Sequence, residues 1–127
     1  MPAFNETIKQ YRINKRLTLR DFCSQVGLDA SNWSKVERGI NLPPGDIETL
    51  ERVANFLGLS KDEKTDLFDL AATARKEIPV DLTDNKILLE ALPVFFRAAR
   101  GHQLSPEKIR EFAQDVLKLN KRDDKDN

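Results

Sequence analysis

Residues 18–39 read TLRDFCSQVGLDASNWSKVERG, and two short helices joined by a tight turn can be read there from capping chemistry alone. Thr18 is a favoured N-cap, and Asp21 three residues on places a carboxylate at the positive end of the helix. Leu17 and Phe22 stand at the offsets of a hydrophobic staple. The same grammar repeats at Asp29, a second cap, with Leu28 and Trp33 as the second staple. Gly27 and Gly39 each fall just past a helix end, where the left-handed conformation that closes a helix favours a residue without a Cβ. The pattern is that of a helix-turn-helix, with Phe22, Cys23 and Val26 inward in its first helix and Trp33 and Val36 inward in its second.

Outward from this stretch the chain stays helical. Phe4, Ile8 and Tyr11 recur on one face of a preceding helix, and Lys9, Lys15 and Arg16 lie outside that stripe, as phosphate contacts or as a solvated face. INLPPG, residues 40–45, is a loop, since Pro43 and Pro44 remove donors and bias their neighbours away from helix. Asp46 then caps a helix with the stripe Ile47, Leu50, Val53, Ala54 and Leu57, ended by Gly58. Ser60 and Glu63 form a capping box for the next helix, whose apolar positions are Leu67, Phe68, Ala71 and Ala74.

KEIPVDL, residues 76–82, reads as a connector broken at Pro79. A helix from about residue 81 or 83 to Leu92 is expected next, then a second that begins at Pro93 and ends at Gly101. Ser105 and Pro106 open a last helix with Ile109, Phe112, Ala113, Val116 and Leu117 on one stripe, before a charged tail, KRDDKDN. The division expected is a domain over 1–75, a connector over 76–82, a helical extension over 83–120 and a tail over 121–127.

The segment 8–60 resembles the phage-repressor (Cro or Xre-like) helix-turn-helix family. It supplies, in order, Arg12 in helix 1, the Thr18 cap, the small Cys23 within helix 2, Gly27 at the turn and Glu37-Arg38-Gly39 at the end of helix 3. LERVANFLGLS is similar to the family's fourth helix. Leu19 stands where many members carry Gln, and Ala30 where many carry a longer polar residue. The resemblance implies an all-α, repressor-like five-helix domain followed by a helical C-terminal extension. It also implies a structural ion pair between Arg12 and Glu37 that ties helix 1 to helix 3.

If helix 3 enters a major groove, its outward residues divide by chemistry. Ala30, Ser31, Asn32 and Lys35 are the candidates for base edges: a methyl for thymine, a hydroxyl for either kind of edge, an amide for adenine and an ammonium for guanine. Asn32 also admits a local role, satisfying backbone near the cap. Thr18, Arg20, Ser34, Arg38 and Asn41 are the candidates for phosphate. Phe95, Phe96, Ile109, Phe112 and Val116 are the candidate dimer or partner interface, because apolar surface beyond a complete DNA-binding unit has to be covered by a fold-back, a second copy or another protein.

Composition narrows the function classes. Twenty-one basic and twenty-one acidic residues leave the chain neutral overall, so indiscriminate attraction to nucleic acid is not expected. Residues 1–38 nevertheless hold seven basic against four acidic side chains. One cysteine excludes an intramolecular disulfide, no apolar run spans a bilayer, and no signal peptide is read, so a cytoplasmic protein is expected. His102, the one histidine, follows a glycine in a loop and has no ligand set around it. With no phosphate loop, triad or nucleophile elbow either, neither catalysis nor a cofactor or metal is expected.

The reading is therefore a sequence-specific transcriptional regulator, a repressor acting as a homodimer on double-stranded DNA. The alternatives are an antitoxin that regulates its own operator and holds a cognate toxin through its C-terminal helices, as many small Xre-like proteins imply, and an interaction module that has lost DNA binding.

Overall fold

A computed structural model of the chain describes residues 2–101 and 105–126, apart from the side chains of residue 117 and residues 119–126. His102 and Leu104, and the side chain of Leu117, lie outside the described residues. The described residues form seven α-helices and one 3-10 turn, with no strand among them. The helices are α1 (Phe4–Asn14), α2 (Leu19–Val26), α3 (Ala30–Glu37), α4 (Ile47–Phe56), α5 (Lys61–Arg75), α6 (Lys86–Gly101) and α7 (Pro106–Asp126), with the 3-10 turn at Val80–Leu82. The chain divides into two compact units, Met1–Asp84 and Asn85–Asn127.

In the first unit the starts of α2 to α5 are set by side-chain caps, and α1 starts after Ala3 without one. Thr18, Asp29, Asp46 and Ser60 each accept a hydrogen bond from the backbone N–H three residues on. The Glu63 carboxylate returns a bond to the Ser60 N–H at 2.8 Å, closing the capping box. Gly27 (φ 80°) and Gly39 (φ 77°) turn the chain off α2 and α3 in the left-handed region. At the end of α1, Arg16 takes that conformation without being glycine (φ 57°), and the Leu17 N–H reaches back to the Arg12 carbonyl.

The core lies where α1 to α5 meet. Phe4, Ile8, Phe22, Cys23, Val26, Trp33, Val36, Leu50, Val53, Leu57, Leu67 and Phe68 are all buried in it. Trp33 is its centre: the ring lies edge-on to Phe4 with centroids 6.4 Å apart and tilted against Phe22 at 5.9 Å. Cys23 is 1% exposed, and burial pushes its thiol pKa up, which keeps it an inert small hydrophobe. Two stripe positions differ from expectation. Ile47, at the first residue of α4, is 40% exposed, and on α5 the fully covered alanines are Ala71 and Ala72 while Ala74 is half buried. Both sit at the edge of the helix–helix contact, where the stripe has rotated off the core.

The segment 76–82 belongs to this first unit. Lys76 (φ 58°) turns the chain back after α5, the Glu77 N–H bonds the Ala72 carbonyl, and Val80 packs against the core.

In the second unit α6 is one helix with Pro93 inside it, where the sequence suggests two helices divided at that proline. Proline's fixed φ is itself helical, so what is lost is the hydrogen bond to the Leu89 carbonyl and some steric ease at that turn. The helical residues on either side carry the helix through. Asn85 and Ser105 cap α6 and α7, accepting from the Leu88 and Lys108 N–H groups. Helix α7 runs on to Asp126, through residues expected as a charged tail. No side chain of α6 is buried. No described helix is long and apolar enough to cross a membrane.

Candidate nucleic-acid interface

The orientation of α3 is set by two anchors. Trp33 and Val36 pin one face into the core, and Glu37, 3% exposed at its side chain, holds the helix end to α1. Both carboxylate oxygens of Glu37 accept from the Arg12 guanidinium, Oε2 from Nε at 2.9 Å and Oε1 from Nη2 at 2.8 Å. The remaining arm, Nη1, donates to the Leu17 carbonyl at 2.7 Å. Arg12 thus fixes α1, the turn before α2 and the end of α3 together, and its bonds to Glu37 raise its pKa further, so it stays charged.

With that face anchored, the opposite face of α3 is open. Ser31, Asn32, Lys35 and Arg38 are exposed, Ser34 is half buried, and Ala30 is half buried and packs against the core. Ala30 therefore offers less of its methyl to a base edge than Ser31, Asn32 and Lys35 offer of their polar groups. Arg38 folds along its own helix, its Nε donating to the Ser34 carbonyl at 3.2 Å. Thr18 and Arg20 are exposed at the start of α2. The Thr18 oxygen accepts from the Asp21 N–H, and its own O–H is left to donate.

Asn41 and Asn32 are brought together across the turn: Asn41 Nδ2 donates to Asn32 Oδ1 at 2.7 Å. The backbone takes part, since the N–H groups of Ile40 and Asn41 both bond the Lys35 carbonyl, at 2.8 and 3.2 Å. The far end of the loop is clamped by Arg75, whose Nη1 donates to the Pro43 carbonyl at 3.0 Å while Glu77 holds its other edge. Arg75 lies so close over Gly45 that a Cβ there would come within 2.6 Å of Nε. Neither the Asn32–Asn41 bond nor the Arg75 clamp was legible in the sequence. The double proline signals a rigid loop, but nothing in the spacing names its partners.

Lys15, weighed in the sequence as a phosphate contact or a solvated side chain, has a third environment. Its Nζ sits 3.3 Å from where a Cβ on Gly58 would stand, at the C-terminal end of α4, where the helix dipole favours a cation. Lys9 and Arg16 are exposed.

The resulting surface combines hydroxyl, amide and ammonium groups on one outward helix with a guanidinium at the N-terminus of its neighbour. Such groups suit base edges and phosphate respectively. In the second unit the candidate interface residues Phe95, Phe96, Ile109, Phe112 and Val116 are all exposed, Phe112 by 65%.

No curated protein matches the chain. Among solved structures, a chain of the SinR protein/SinI protein complex is 26% identical, with 94% of this chain and 99% of that chain covered and a TM-score of 0.44. Residues 3–67, just over half of the chain, match the model of a family described as a helix-turn-helix domain, and those residues contain α1 to α4, the Arg12–Glu37 pair and the outward face of α3. The chain belongs to the helix-turn-helix domain family.

Proposed function

We propose that the protein is a sequence-specific DNA-binding transcriptional regulator, a repressor that acts as a homodimer with α3 in the major groove. The observation that carries this reading is the two-sidedness of α3. Trp33, Val36 and Glu37 are buried while Ser31, Asn32, Lys35 and Arg38 face outward on a helix held rigidly by its neighbours. In this reading Ser31, Asn32 and Lys35 meet base edges, with Ala30 at the margin, and Thr18, Arg20, Ser34 and Arg38 lie toward phosphate, while Asn41 is bonded to Asn32.

A single eight-residue helix gives little affinity or specificity, which two linked copies supply. The second unit supports that copy. Ile109, Phe112 and Val116 repeat at i, i+3 and i+7 on α7, the spacing of a helix–helix seam, and are exposed. The same exposed apolar surface supports the second reading, an antitoxin whose C-terminal helices hold a toxin. Cytoplasmic placement goes with either.

The test is a titration of the full chain against duplex DNA from upstream of its own gene and a scrambled duplex, at two salt concentrations. Preferential binding of two subunits per site is expected. Arg20→Ala should weaken both duplexes alike and flatten the dependence of log K on log salt by about one unit. Lys35→Ala should relax preference at one base pair. Equal weak binding of both duplexes, or none, would leave the fold as an interaction module.

A further inference from the structure

An asparagine that reads a base has to present its amide edge at a fixed angle, and an exposed side chain on a helix surface is free to rotate away. Asn32 is exposed, and its backbone N–H is already occupied by the Asp29 cap at 2.8 Å. What restrains its side chain is Asn41, through the 2.7 Å bond to Oδ1. Asn41 is in turn fixed by its backbone, whose N–H bonds the Lys35 carbonyl one turn further along the same face of α3. Behind it the loop is tied to α5 through the Pro43 carbonyl and Arg75.

We propose that Asn41 is a positioning residue for base recognition: it holds the Asn32 amide so that its free edge faces one base, adenine by the chemistry of the pairing. This rests on the reading of α3 as the helix in the groove. An amide oxygen has two lone pairs and an amide nitrogen two hydrogens. The Asn41 bond takes one lone pair of Asn32 Oδ1 and leaves a second lone pair and both Nδ2 hydrogens. That is the acceptor-plus-donor set which adenine's N6–H and N7 require. Fixing the rotamer before contact removes an ordering cost that a free side chain would meet on binding. The role differs from a phosphate contact by Asn41 itself, which would strengthen all sequences alike.

The experiment is a selection from a library of duplexes with a randomised central block, bound by the full chain as wild type, Asn32→Ala, Asn41→Ala, Asn41→Leu and the Asn32→Ala/Asn41→Ala double variant. Asn41→Leu keeps the side-chain bulk and removes the donor, so a shared result for the two Asn41 variants reports the lost bond. The expected profile of the wild type has an A·T preference at one position of each half-site. Asn32→Ala should flatten that position by roughly fivefold to 150-fold, for the loss of a bidentate pair. Both Asn41 variants should weaken the same preference by roughly twofold to tenfold, the cost of ordering one freed side chain, and leave the other positions intact. The double variant should be no worse than Asn32→Ala alone.

A wild-type profile that Asn41→Ala and Asn41→Leu leave unchanged, with affinity lowered evenly across sequences, would overturn the positioning role and make Asn41 a phosphate contact. So would additive losses at two different positions. A wild type that enriches no sequence would instead sink the DNA-reading assignment of α3, and the inference with it.

Discussion

Arg12 is the residue on which the geometry of α1 to α3 converges, because a single guanidinium serves three elements at once. Its side chain is 11% exposed and that of Glu37 3%, so removing either partner leaves the other with little water to replace it. Glu37→Ala should therefore destabilise the fold by about 3–5 kcal/mol, the usual cost of leaving one member of a buried pair alone. Urea unfolding measures this, and an Arg12→Met/Glu37→Met chain, with no orphaned charge, should recover much of the loss. The pair could be anticipated because the two residues occupy family positions that resemble a known ion pair. The third bond of Arg12, to the Leu17 carbonyl, could not, since it depends on the left-handed turn at Arg16 that no glycine announces. Asn32 and Asn41 were each legible as polar residues, one on α3 and one in the loop after it. Their bond was not, because it is made across a turn whose direction is settled by Gly39 and by the loop's attachment to Arg75.

The starts of α2 to α5 were legible because each cap is a local event, set by a side chain and a backbone N–H three residues away. Asp46 shows what such a cap contributes. Its carboxylate accepts from the Thr49 hydroxyl at 2.6 Å and the Thr49 N–H at 3.0 Å, and these two bonds, the hydroxyl first, hold its pKa below the usual carboxylate value. A lowered folded pKa means that the unfolded chain takes up the proton first. The contribution of Asp46 is thus fully present above the unfolded-state pKa and is lost as pH falls through the folded one. Asp46→Ala should cost about 1 kcal/mol near neutrality. Asp46→Asn, a neutral cap of equal quality, should keep most of the stability and remove this residue's share of the acid-induced loss, as thermal unfolding between pH 2 and pH 6 would show. Ends and interruptions were harder to read than starts. Pro93 looks like a boundary to any local rule, yet α6 passes through it, because one missing hydrogen bond is outweighed by the turns on both sides.

At the scale of the molecule the two units have opposite character. Every described residue that is fully buried lies in the first, from Phe4 to Ala72, whereas α6 and α7 leave Ile87 (82% exposed), Val94, Phe95, Phe96 and Phe112 open. A chain ending at Asp84 should thus still unfold cooperatively, since its core is intact. With the C-terminal helices as the dimer contact, that chain should sediment as a monomer and bind a two-half-site duplex about 10²–10⁴-fold more weakly than the full chain, which analytical ultracentrifugation and DNA titration would show. The all-helical architecture was legible because its stripes repeat at helical spacing throughout. What covers the apolar faces of α6 and α7 was not, since a stripe names a need for burial without naming the partner that meets it.

The chain has one tryptophan, and it stands with its back to the surface that is proposed to read DNA. Trp33 belongs to α3, yet its indole is 1% exposed, flanked by Phe4 and Phe22, with Nε1 lacking any hydrogen-bond partner among the described residues. An indole in so dry a setting emits at short wavelength, and its light shifts to the red when water reaches it. The protein is in effect supplied with a lamp mounted inside α3. Its colour reports whether that helix is still seated, so every surface substitution on α3 can be checked for folding in the same cuvette in which its hold on DNA is measured.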